Sequence, residues 1–268
     1  MLGLLIKSAS NDAEASASEW FGQSVAASDE FARDSHCVQT KRALTLSRMK
    51  PLLYVGNQNY SSWSLRPWLV LRWSGLEFET RVIPMGGDGY GSRSMPAILS
   101  VSPSGTVPAL HLGSEVISDS LAISEWAAEQ SPTLWPTDPT ARMHARAAAC
   151  EMHSGFAALR SKLPCNIRRR TEPRQLDAAT QHDVERVFKL WSSLRTRFGG
   201  SGPFLFGATK TIADAFFTPV ATRFRTYGVP VPDELAPYVH ALLNEPSFLE
   251  WEQAGVAESW TMPIWDSV

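Results

Sequence analysis

Cysteine is scarce in this chain. Its three cysteines, Cys37, Cys150 and Cys165, lie far apart among 268 residues. An odd number at such spacing makes neither a disulfide framework nor a zinc-type cluster, which points to a reducing, cytoplasmic setting and to no metal. A basic excess is also missing. Lys and Arg total 25 against 27 Asp and Glu, a net charge of -2. A nucleic-acid surface needs a clear positive balance. No apolar run approaches the roughly 20 residues of a membrane-spanning helix, so neither nucleic acid nor membrane is an expected partner. Met1–Ile6 is too short for a signal sequence, and no positive charge precedes it.

What is present is apolar bulk. Hydrophobic residues make up 44% of the chain and ten are tryptophans, enough for a sizeable core in one large domain or two small ones. Residues 1–49 differ in composition. They are rich in Ala, Ser, Asp and Glu with weak periodicity, and read as a poorly ordered extension with a short helix around Ser18–Phe31. Met49 stands immediately before the first strand candidate and reads as an internal start.

From Pro51 the pattern changes. Leu52–Val55 reads as a strand, followed by the turn Asn59-Tyr60-Ser61-Ser62-Trp63-Ser64 and a helix over Leu65–Trp73. Proline is tolerated in the first turn of a helix, so Pro67 sets the expected start near Ser64 and leaves Ser61 and Ser62 in the loop. A hydroxyl-rich turn before a helix N-terminus can hold an anion, because the first helical N–H groups have no internal partner; a Ser N-cap alone also accounts for it. Gly75 stops the helix, and Phe78–Ile83 alternates as a strand. Strand–helix–strand implies a parallel pair. The glycine-rich loop Gly86–Gly91 does not join a strand to a helix at phosphate-binding spacing. Val107-Pro108 opens a further strand, where a cis bond would leave the Val107 backbone free for a peptide-like ligand. Asp119-Ser120 begins a helix, as a simple cap or as a receptor for an amino-acid head group.

Prolines 132, 136 and 139 mark a linker over 131–139. Beyond it strand signals vanish. Ala141–Leu163 and Gln181–Phe198 read as long helices, and Thr211 with Asp214 reads as a capping box for a third. Arg168-Arg169-Arg170 is a solvated face or an attractor for an anionic substrate.

Three segments in this order, Ser61-Ser62-Trp63-Ser64-Leu65-Arg66, Val107-Pro108-Ala109-Leu110 and Asp119-Ser120-Leu121-Ala122-Ile123, resemble the glutathione S-transferases. The first looks like the zeta-class Ser-Ser-Cys-Ser-x-Arg signature, with Trp63 in place of its cysteine. Glu151-Met152-His153-Ser154-Gly155-Phe156 is similar to a beta-class segment whose histidine faces the glutathione sulfur. The resemblance covers Pro51 to the C-terminal region. It implies an α/β thioredoxin-like N-terminal domain over 50–130, the linker, and an all-α domain over 140–268. It also implies a homodimer and glutathione as co-substrate. Val107 and Pro108 would pair with the cysteinyl backbone, and Asp119 and Ser120 would hold the γ-glutamyl group. Ser61 is first and Ser62 second as thiol activator, with His153 nearby and Tyr54 and Tyr60 as rivals. Thr106 stands where many relatives carry Lys or Gln, so the glycyl end of the site departs from the pattern.

A free cysteine thiol has a pKa of about 8.5, so the chemical task is to favour the thiolate at neutral pH. Serine is a poor base, but its hydroxyl can donate to the charged sulfur. One hydrogen bond to a charged group, about 1.5–3 kcal/mol, together with a helix N-terminus of about 0.3–1 kcal/mol, matches the about 2.7 kcal/mol of a two-unit pKa drop. The implied activity is attack by glutathione on a small, hydrophobic electrophile. The alternatives are a glutathione-dependent cis–trans isomerase of the maleylacetoacetate type and a non-catalytic ligand carrier on the same fold.

Overall fold

The computed structural model describes residues 50–87 and 89–268, so the extension expected at 1–49 and the short helix expected within it lie outside the described residues. Lys50–Val268 forms one compact unit. Its N-terminal part has the expected βαβ–ββα order: β1 (Leu52–Gly56), α1 (Ser62–Ser74), β2 (Glu79–Ile83), the short α2 (Pro96–Leu99), β3 (Ala109–Leu112), β4 (Glu115–Ser118) and α3 (Ser120–Gln130). The sheet order is β2-β1-β3-β4. β1 pairs parallel with β2, Leu53 opposite Thr80, and antiparallel with β3, Leu53 opposite Leu110. As a central strand β1 buries Leu53 and Val55 completely, whereas the edge strand β2 exposes its first three residues and reaches the core only near Ile83.

A 3-10 turn over Pro132–Leu134 leads to the helical part: α4 (Pro139–Ser154), α5 (Ala157–Lys162), α6 (Ala178–Leu194), α7 (Ile212–Tyr227), α8 (Ala236–Leu243), α9 (Pro246–Ala257) and α10 (Pro263–Asp266). The thioredoxin-like plus all-helical architecture is therefore present, but two helices differ from expectation. The first long helix breaks after Ser154. The Gly155 N–H closes on the Glu151 carbonyl at 2.8 Å, Phe156 takes a left-handed φ of 57° that buries its ring, and α5 starts afresh. A β-carbon on Gly155 would meet the Glu151 oxygen at 2.7 Å, so glycine permits this close approach. The second starts at Ala178 under an Asp177 cap and ends in a π turn over Arg195–Gly199.

α7 is the axis of the core. Every residue in it but Arg225 is buried. Trp191 of α6 meets Phe217, Phe224 and Tyr238 edge-on at centroid distances of 5.6, 5.7 and 5.0 Å. Trp68 of α1 packs on Trp251 of α9 at 5.2 Å, which joins the sheet region to the helices. Among the described residues no helix is long and apolar enough to cross a membrane.

Candidate active site

The turn before α1 is held from the helical side. Asn59 Nδ2 donates to Asn166 Oδ1 at 2.9 Å, and the Asn59 carbonyl accepts from the Ile167 N–H at 3.1 Å. Glu258 accepts from the Gln58 and Asn59 N–H groups at 2.7 and 3.2 Å, and the Trp251 indole donates to the Gln58 carbonyl. α1 then begins earlier than Pro67 suggested. Ser61 is its N-cap and Ser62 its first residue, which puts Pro67 beyond the first turn. Capping explains the extra residues: the Ser64 N–H reaches back to Ser61 Oγ, so a start at Ser62 satisfies a donor that a later start would strand.

The two candidate serines have different partners. Ser61 Oγ donates to Ser64 Oγ at 2.8 Å, and Ser64 Oγ also accepts from the Gly56 N–H at 3.1 Å. The Ser61 proton is spent inside the turn. Ser62 lines a cavity of about 430 Å³ at the mouth of α1, and its oxygen accepts from Arg223 Nη2 at 3.1 Å. Tyr60 lines the same cavity, but its hydroxyl proton faces the Asp266 carboxylate at 2.9 Å while its oxygen accepts from Arg168. Tyr54 packs on the His111 ring, centroids 4.8 Å apart, and does not line the cavity.

The Val107–Pro108 bond is cis. Among the described residues neither the N–H nor the C=O of Val107 has a hydrogen-bond partner. Asp119 caps α3 through the Leu121 and Ala122 N–H groups at 2.7 and 3.1 Å, from a backbone with φ 136° that is unusual for a residue other than glycine. Ser120 is 1% exposed and its hydroxyl has no partner among the described residues. These orphaned groups at two neighbouring element starts are what a peptide-like ligand with a charged head would satisfy. His153 lies with this second group. Its Nε2 is 3.2 Å from Asp119 Oδ2, and its ring meets the Trp63 indole edge-on at 5.3 Å. Burial, opposed by Asp119, holds its pKa below the usual histidine value.

Trp63, at the signature's cysteine position, is covered by two guanidinium groups. Arg66 sits 4.4 Å and Arg160 4.6 Å from its ring centre. Arg66 is 1% exposed, and its Nε and Nη1 have no partner among the described residues. Burial first, then Arg223 and Arg160, pull its pKa well down. Arg160, Arg223 and Ser62 face the cavity with Cys165, and among the described residues no Asp or Glu lines it. Burial pushes the Cys165 thiol pKa up, against the opposing effect of Arg223, so this thiol stays protonated.

The run Arg168–Arg170 has a different task from drawing in a substrate. Arg168 binds the carbonyls of Glu258 and Trp260, and Arg169 those of Trp265 and Asp266. They fasten the C-terminal segment, which puts Trp265 in the cavity wall with its indole N–H 3.0 Å from the Tyr90 hydroxyl. Arg160 and Arg223 were not singled out from the sequence. Arg223 had a readable signal: an arginine within the apolar run from Phe216 to Phe224 must be buried with a purpose or break the helix's apolar face.

A thioredoxin-like sheet region joined to a helical bundle, with a hydroxyl-bearing helix start at their junction, defines a class of two-part proteins. Models of the Glutathione S-transferase N-terminal domain and Glutathione S-transferase C-terminal domain match residues 60–130 and 177–245, together a little over half of the chain. The chain belongs to the glutathione S-transferase family. It is 29% identical to the maleylacetoacetate isomerase of Pseudomonas aeruginosa, over 66% of this chain and 82% of that protein. It is 27% identical to the maleylpyruvate isomerase of a Ralstonia species, over 63% of this chain and 79% of that protein. Among solved structures, a glutathione transferase homologue from Burkholderia (BGR1), crystallised with bound glutathione, superposes with a TM-score of 0.60 at 24% identity. That match covers 78% of this chain and all of the homologue.

Proposed function

We propose that this chain is a glutathione-dependent enzyme that stabilises a thiolate at the N-terminal end of α1 and acts on a small anionic electrophile. One observation carries the reading. Ser62, the first residue of α1, faces a cavity with its proton uncommitted, at a helix end whose first turn holds no acidic side chain. Glutathione, when bound, supplies a thiol nucleophile whose attack on an electrophilic carbon gives conjugation if the adduct is kept and cis–trans isomerisation if it is released after bond rotation.

The chain's own groups then have distinct tasks. The Ser62 hydroxyl donates to the sulfur, and the open helix end adds partial positive charge. The free Val107 N–H and C=O pair with the cysteinyl backbone, next to Pro108. Ser120 and Asp119 take the γ-glutamyl head, the first through its unpartnered hydroxyl and the second through its exposed carboxylate. Ser61 supports the turn, and His153 acts on the head-group end through Asp119. Arg160, at the wall of a cavity with no carboxylate among its described lining residues, meets the negative charge of the second substrate. A homodimer belongs to the same reading.

The isomerase reading has its own support, because the two curated relatives named above are isomerases. Ultraviolet titration of glutathione bound to the protein tests the shared step. The expected result is a thiolate band at neutral pH, and its absence would leave only ligand carriage. Glutathione consumption with a cis-unsaturated dicarboxylate then separates the two chemistries, since isomerisation regenerates it and conjugation does not.

A further inference from the structure

We infer that Arg223 is a positioning residue for the Ser62 hydroxyl, which it turns into a one-way donor aimed at the bound sulfur. This rests on the reading of α1's N-terminal end as the thiol site. A serine hydroxyl carries one proton and two acceptor sites, and guanidinium can only donate. With Arg223 Nη2 at 3.1 Å, Ser62 Oγ must accept on that side. No other partner of Ser62 Oγ exists among the described residues, so its single proton remains for the cavity. Ser61 is the internal contrast, because Ser64 takes its proton.

The geometry is fixed from the far side of the guanidinium. Arg223 Nε donates to the Leu163 carbonyl at 2.8 Å and Nη1 to the Pro219 carbonyl at 2.9 Å. Leu163 closes α5, and Pro219 lies one turn earlier on α7, so two elements of the helical part aim one nitrogen at the start of α1. Arg223 is 4% exposed and forms no ion pair with a carboxylate among the described residues. A buried cation without a counter-charge is costly to retain on structural grounds alone. An anion in the cavity would offset that cost, and accepting from a charged donor strengthens the Ser62 O–H as a donor in turn. The other titratable groups around this point are Tyr60 in the turn, Arg66 on α1, Arg160 on α5, Cys165 after it and Tyr227 on α7, whose hydroxyl donates to the Pro164 carbonyl. Tyr60 is turned to Asp266, and Cys165 is held as a thiol.

The test is the pKa of the bound glutathione thiol, read from thiolate absorbance in wild type, Arg223→Met, Ser62→Ala and the double variant. Arg223→Met is expected to raise it by about one unit, an approximately tenfold loss of thiolate below the pKa. Affinity for S-methylglutathione, which has no ionisable thiol, should stay unchanged, as loss of mere scaffolding would not allow. In the Ser62→Ala background the same substitution should add almost nothing. An unmoved thiol pKa in Arg223→Met, or an equal shift with and without Ser62, overturns the inference while leaving the thiol site intact. A wild type that binds glutathione with no thiolate band overturns the site itself. Should Arg223→Met fail to fold, Arg223→Lys and Arg223→Gln decide: the lysine must hold the thiol pKa below that of the glutamine variant, and the reverse order overturns the inference.

Discussion

α1 and α7 both begin under a hydroxyl N-cap, Ser61 and Thr211, and differ in the residue three places on. In α7 it is Asp214. Its carboxylate takes the Thr211 N–H at 2.8 Å, the Thr211 hydroxyl at 2.9 Å and the Leu205 N–H at 3.1 Å, all in the interior. That end is closed, with a charge of the sign the helix start prefers. In α1 it is the neutral Ser64, whose hydroxyl turns to Ser61 and Gly56. The positive end of α1 stays uncompensated and opens on a cavity lined by two arginines. One start specifies where a helix begins. The other leaves its polarity open to the cavity.

The largest expected effect breaks the closed end. Asp214→Ala strands three buried donors, each worth about 1–3 kcal/mol, so the chain should lose at least about 3 kcal/mol of stability. A denaturant titration would show this as a lowered midpoint, and a midpoint within error of wild type would deny Asp214 its structural role. Burial pushes the Asp214 pKa up against these hydrogen bonds. The closed end therefore tolerates its acid only because every oxygen is engaged.

The next pair sharpens the open end. Ser62→Ala should cut turnover by about 10²-fold with little change in stability, the scale seen when one donor to developing charge is removed. Ser61→Ala should do the reverse: about 1 kcal/mol of stability lost with the cap, and turnover largely kept. Steady-state rates set beside thermal melts separate them. Turnover lost in Ser61→Ala and kept in Ser62→Ala would return the donor role to Ser61.

Most of the fold was legible because its signals are local. The strand at Leu52, the Gly75 stop, the cis Val107–Pro108 bond and the Thr211–Asp214 box each follow from residues within four places of one another. Three things were not legible. The helix start at Ser62 depended on the Ser61–Ser64 cap outweighing the cost of Pro67 in the second turn. The contact on which we base our proposed order of the serines joins Ser62 to Arg223, 161 residues away along the chain. Arg168 and Arg169 look like a solvated charge run, yet bind backbone carbonyls of the C-terminal segment about 90 to 100 positions on. Local motifs named the candidate residues, and the partners that distinguish them come from far along the chain.

α3 stands between the two extremes, and it yields the smallest and most diagnostic prediction. Asp119 closes its start, as Asp214 closes α7, but remains exposed and shares its second oxygen with His153. Opposed forces act on that histidine, with Arg66 and Arg160 adding to the effect of burial. Burial favours its neutral form, and Asp119 favours the cation. Burial is the larger, so the folded chain holds His153 with a pKa below its unfolded value near 6.5. The unfolded state then binds more protons between those two values, and stability must rise with pH through that window. Equivalently, His153 contributes stability above the unfolded pKa that is lost as pH falls through the folded one. His153→Gln removes the titration, so the stability gap between wild type and variant should narrow on acidification. A gap that widens on acidification would mean that the Asp119 ion pair outweighs burial and the two nearby arginines together. His153 would then be a cation that neutralises the carboxylate, and α3 would be as closed as α7 rather than half open to a head group.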